Sequence, residues 1–175
     1  MIFLLDLLKT RRSIRKFKNK KVEQEKVDAI LKGALLSPSS RGRKPWEFIV
    51  VDDEEVLKKV AQSKEHGSKF LAGAPLGIVV AADPELCDVW VEDTSIASVI
   101  IQLTAHSLGL GSCWIQIRER LHNDSVTAED YLKEVLGIPE KLKVASIIAI
   151  GYKDEDKKPH EEADLLYNKI HTNSY

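Results

Sequence analysis

The apolar residues Val27, Ile30, Leu31, Ala34 and Leu35 recur at the three- and four-residue spacing of one helical face. Glu23, Glu25 and Asp28 lie toward the start of this run, where the helix dipole favours acids. Ser37-Pro38 ends it, because the residue before proline avoids the α region. A loop follows, Ser39-Ser40-Arg41-Gly42-Arg43-Lys44-Pro45. Trp46 to Val51 then reads as a strand, and Asp52-Asp53-Glu54-Glu55 opens a helix carrying Val56, Leu57 and Val60. Gly73-Ala74-Pro75 leads into Leu76 to Ala82, an apolar, β-branched run suited to a buried strand. A long helix is predicted from about Val89 to Leu108. Its stretch Ile96 to Ile101 is apolar almost all round, which requires burial on more than one side. Gly109-Leu110-Gly111 terminates it, glycine being the usual left-handed cap. Ser112 to Ile117 is a short strand, Thr127 to Leu136 a helix, and Ala145 to Ile150 a last core strand. At the other end, Ile2 to Lys9 suits a short amphipathic helix. From Gly151 the chain turns polar without a clear period, and is expected to wrap over a surface, its own or a neighbour's. With no repeat or linker, the pattern predicts a single domain over residues 1–175. The class is α/β or α+β, with a mixed sheet between helices.

Composition narrows the function. At 43% hydrophobic and 30% charged, the 175 residues describe an ordinary globular protein. A formal net charge of −1 argues against a general nucleic-acid binder, which needs a broad basic surface. Cys87 and Cys113 are too few for a disulfide framework or a metal site, so a reduced, cytoplasmic setting is expected. The apolar start Met1 to Leu8 fails as a signal peptide. It is short, Asp6 interrupts it, and the positive charge follows rather than precedes it. No stretch approaches the roughly 20 apolar residues of a membrane helix. A soluble intracellular protein without a membrane partner is the expectation.

The charge is nonetheless uneven. Eight of the thirteen residues from Lys9 to Lys21 are Lys or Arg, and none is acidic. At their centre, Arg11-Arg12-Ser13-Ile14-Arg15 gathers three guanidiniums and a hydroxyl. Arg offers planar bidentate donors to phosphate or carboxylate, so the group suits a fixed anion. The plain alternative is a solubilising basic loop. Other chemistry-bearing residues have plain readings too: Trp46 and Trp114 as packing, Ser39 and Ser40 as turn residues, Cys113 as a buried inert thiol. Only His66 among the histidines falls in a loop that could line a pocket.

The landmarks occur in a distinctive order. Arg11-Arg12-Ser13-Ile14-Arg15 follows a first helix. Ser37-Pro38-Ser39-Ser40 comes next, with Pro45-Trp46-Glu47-Phe48 entering a strand. Ala74-Pro75 precedes a hydrophobic strand. Asp93 then opens a long small-and-apolar helix that runs into Ser107-Leu108-Gly109-Leu110-Gly111-Ser112-Cys113-Trp114-Ile115. From about Leu8 to Gly151 this order resembles the nitroreductase family of FMN-dependent NAD(P)H oxidoreductases. The resemblance implies an α+β fold, a mixed sheet sandwiched by helices, in an intertwined homodimer with FMN at the subunit interface. It implies that Arg11, Arg12 and Ser13 hold the FMN phosphate and ribityl hydroxyls, and that Arg15 approaches the N1/O2 edge of the ring. Pro38, Ser39 and Ser40 would come from the partner subunit. Cys113, Trp114, Ile115 and Gln116 would pass beside the ring and present a backbone N–H to N5. Lys157 or Lys158 would meet the phosphate, and Lys16, Lys18, Lys20 and Lys21 would remain solvated surface.

Reduced flavin carries negative charge over N1 and O2, so a fixed Arg15 would favour its formation. The cofactor carries the chemistry, and no protein nucleophile or acid–base pair is needed. The expected activity is a two-step cycle in which NAD(P)H delivers hydride to FMN N5 and a nitroaromatic, quinone or similar flat acceptor then takes the electrons. The chain departs from the family pattern at Gly42 and Lys44, where many relatives have Asn and Gln. An alternative is therefore a flavin-binding sensor or storage module without useful turnover. A plain anion-binding protein ranks last.

Overall fold

The computed structural model describes residues 4–175. The helices are α1 (Leu4–Thr10), α2 (Gln24–Leu35), α3 (Glu54–Val60), α4 (Trp90–Ser107) and α5 (Ala128–Leu136). The strands are β1 (Trp46–Val51), β2 (Leu76–Ala82), β3 (Gly111–Gln116) and β4 (Lys143–Gly151), in the sheet order β1-β2-β4-β3. The class is α+β. All three strand pairings are antiparallel, and the mixed character expected of the sheet is confined to one parallel bridge, Ser13 to Ser112, on the outer edge of β3.

Helices cover both faces of the sheet, which is why its central strands lack polar alternation. All seven residues of β2 are buried. On one face Ile30 and Ala34 of α2 and Ile101 and Ala105 of α4 pack against Ile78, Val80, Ile148 and Ile150. On the other, Leu57 and Val60 of α3 and Leu132 of α5 pack against Val79, Ile147 and Ala149. Asp53 and Thr127 cap α3 and α5 through their side chains, accepting from Val56 N–H and Asp130 N–H. Gly109, at φ 80°, takes the left-handed conformation that ends α4.

Three expectations change in detail. Leu35, assigned to the buried face of α2, is 57% exposed, because the last turn of the helix overhangs the core together with Leu36. The first helix spans Leu4–Thr10 and buries none of its residues; Ile2 and Phe3 lie outside the described residues. The apolar stretch of α4 from Ile96 to Ile101 is only partly covered: Ile96 and Val99 remain 40% and 44% exposed. Beyond β4 the chain first lies along its own residues 9–18.

Candidate functional site

The basic loop is held on the open edge of β3. Ile14 is buried and donates its N–H to the carbonyl of Ser112 at 2.9 Å. Glycine at 111 permits this approach, since a Cβ there would lie 2.9 Å from the Ile14 side chain and from Lys153. The anchor leaves Arg11, Arg12 and Ser13 half-buried and Arg15 exposed. Among the described residues, neither the Arg11 nor the Arg15 guanidinium has an acid or hydrogen-bond partner. Arg15 lies 5.8 Å from the centre of the Phe70 ring. Arg12 is already engaged, donating to the carbonyl of Lys158.

Cys113 sits beneath this loop, 1% exposed. Burial pushes its thiol up against the pull of Arg15, Ser13 and Arg11. Burial thus disfavours the thiolate, the form in which a cysteine reacts. Lys64 also faces this region, its ammonium pushed down by burial and by Arg120.

The segment after β4 reaches the same loop. Glu155 Oε1 accepts the N–H groups of Arg15 at 2.5 Å and Lys16 at 3.2 Å. Its Oε2 pairs with Lys157 Nζ at 3.2 Å. The backbone amide of Arg15, above all, holds the Glu155 carboxyl below the usual range. Of the two lysines expected at a phosphate, Lys157 is thus beside the loop but paired, and Lys158 contributes its carbonyl to Arg12. Lys20 is not simply solvated: it lies 4.0 Å over the Tyr152 ring and pairs with Glu23 at 3.1 Å.

Pro38, Ser39 and Ser40 lie elsewhere. Asp93, buried in the first turn of α4, accepts Ser40 N–H at 2.9 Å and the Cys87 thiol at 3.3 Å. The basic loop meets the other end of α4, where Thr10 Oγ1 is 2.8 Å from His106 Nε2. Between Asp93 and His106 the helix spans about 20 Å. One protomer does not bring the two groups together. Ser39 spends its hydroxyl on the turn, accepting Lys44 N–H at 2.9 Å. The loop is strained, with Arg41 and Lys44 at φ 52° and 50°.

In the segment Cys113 to Gln116, backbone groups alternate between the two edges of the strand. Ser112 turns its carbonyl outward to Ile14, so Trp114 and Gln116 turn their N–H groups to the same open edge. Cys113 and Ile115 direct theirs at β4. The Gln116 side chain is occupied, accepting from Trp114 Nε1 and donating to the Arg118 carbonyl, both at 3.0 Å. Trp46 is buried and packs on Phe48, a packing role as expected. His66 is exposed and lines none of this. Sequence reasoning missed Glu155 and gave Asp93 no role. The one signal for Glu155 was the acidic triplet Asp154-Glu155-Asp156, a complement to the basic run, just after the last core strand.

Comparison with known proteins identifies the family. The model of the Nitroreductase family matches residues 8–64 and 60–152. A candidate NADH dehydrogenase/NAD(P)H nitroreductase of Archaeoglobus fulgidus is 41% identical over 173 residues, covering 95% of each chain. One of the same description from Methanothermobacter thermautotrophicus is 38% identical, over 87% of this chain and 78% of its own. The structure of an FMN-dependent nitroreductase from Clostridium difficile superposes with a TM-score of 0.97 at 54% identity, covering 98% of this chain and 100% of that one. The chain belongs to the nitroreductase family, and so to the oxidoreductases.

Proposed function

We propose that this chain is an FMN-dependent NAD(P)H oxidoreductase that reduces a nitroaromatic, a quinone or a similar planar acceptor. The observation that carries the reading is the pair of guanidiniums, Arg11 and Arg15, without acid or hydrogen-bond partners among the described residues, at the two ends of one loop anchored to β3 through Ile14. A flavin mononucleotide is anionic at its phosphate and becomes so at the N1/O2 edge of its ring. The donor set fits both demands, with Ser13 between them and nearby acid Glu155 already committed to backbone amides. Bound FMN would supply the redox chemistry, taking hydride from NAD(P)H and giving electrons to the acceptor in a ping-pong cycle.

The remaining steps belong to the chain. Arg11, with Ser13, would neutralise the phosphate, and Arg12 would tie the loop to the tail segment near Lys157 and Lys158. Arg15 would stabilise charge on the ring edge through preorganised electrostatics. The open edge of β3 would offer the N–H of Trp114 or Gln116 to N5.

The site further requires a homodimer. Pro38, Ser39 and Ser40 cannot reach the Arg11–Arg15 loop within one protomer, so a second copy would supply them. The uncovered apolar residues of α1 and α4 support this: Leu4, Leu5 and Leu8 on the first, Ile96 and Val99 on the second. No helix among the described residues is long and apolar enough to cross a membrane, and both cysteines are free.

The purified protein should show flavin absorbance, and should oxidise NAD(P)H rapidly with menadione as acceptor. Absence of flavin, even after reconstitution with excess FMN, would refute the assignment. Tight FMN binding without turnover would favour the sensor reading instead.

A further inference from the structure

The tail after β4 lies antiparallel to the basic loop, with the backbone in register from Lys18 to Lys16. Lys18 N–H donates to the Tyr152 carbonyl, Phe17 bridges Lys153, and Asp154 N–H donates to the Lys16 carbonyl. One step further along both segments, Arg15 meets Glu155. Beyond that, Arg12 meets Lys158, and His160 N–H donates to the Lys9 carbonyl at 2.9 Å. The tail is a strap over the whole loop. At Arg15 the backbone ladder gives way to a side chain, because Glu155 Oε1 takes two consecutive amides, those of Arg15 and Lys16. The carboxylate side chain is only 17% exposed, and its other oxygen faces Lys157.

Two amides converging on one oxygen fix the local backbone, and therefore the direction in which the Arg15 side chain leaves it. On charge alone, a carboxylate in this loop opposes the binding of any anion. What it contributes is its reach: a side-chain acceptor placed where the backbone ladder ends. We infer that Glu155 is a positioning residue for the Arg15 guanidinium, acting through the acceptor geometry of Oε1 and not through its charge. Its consequence for cofactor binding rests on the flavin reading above; the positioning itself does not.

Two conservative variants separate reach from charge. Glu155→Gln keeps an accepting oxygen at the same distance and removes the charge. Glu155→Asp keeps the charge and withdraws it by one methylene. Amide hydrogen exchange at Arg15 and Lys16 of the cofactor-free protein should accelerate about tenfold in E155D and change less than about threefold in E155Q. Core amides of β4 serve as the control for global stability and should not move. Fluorescence titration with FMN should rank the variants alike, with E155D weakened about tenfold and E155Q close to wild type. Equal behaviour of the two variants, or weaker protection and binding in E155Q than in E155D, overturns the inference. If the wild-type protein binds no FMN, the flavin reading fails, and the exchange measurement still decides the role of Glu155.

Discussion

Among the described residues the guanidiniums of Arg11 and Arg15 have no acid or hydrogen-bond partner, while Arg12, Lys20 and Lys157 are engaged within the chain. Removing an unpaired, half-buried guanidinium should therefore report on the ligand more than on the fold. Arg11→Ala is expected to weaken FMN binding by ~1.5–3 kcal/mol, the value of one charge-assisted bond, measured by titration calorimetry. At this scale the Arg11–Arg15 cluster was legible because its charges are contiguous in the chain. Glu155 was not, because the amide it binds lies 140 residues away, and no local pattern marks an acid as a backbone acceptor.

The helices and strands themselves were legible nearly throughout, since each is a short-range consequence of apolar spacing, breakers and caps. Thr127 shows how local that control is. It caps α5 by accepting Asp130 N–H at 3.0 Å, so Thr127→Ala should cost about 1 kcal/mol in urea unfolding. What spacing could not reveal is how elements meet. The basic loop seats on β3 only because residue 111 lacks a side chain. Gly111→Ala should push Ile14 and Lys153 away and lower FMN affinity. An unchanged dissociation constant would show that the seat can relax. The antiparallel order β1-β2-β4-β3 was equally hidden, since a strand buried on both faces carries the same apolar run whatever the direction of its neighbours.

For the whole molecule, the two halves of the proposed site stand at opposite ends of α4 in one protomer, and Leu4, Leu5 and Leu8 of α1 and Ile96 and Val99 of α4 are uncovered. Both features call for a second copy, which predicts coupled behaviour. Sedimentation at micromolar concentration should give twice the 19.7 kDa chain mass. Val99→Glu should yield monomers that lose FMN together with the dimer, although Val99 is remote from the basic loop. Monomers that keep full FMN affinity would contradict a shared site. The amino-acid sequence by itself determined the elements, the two-faced hydrophobic core and the basic cluster, because each depends on residues close together in the chain. Only the tertiary structure decided which edge of the sheet carries the cluster, which acid secures it and how far it stands from Ser39 and Ser40. Those are distances between residues remote in the chain, set by packing of the sheet and α4, and no pattern along the chain encodes them locally.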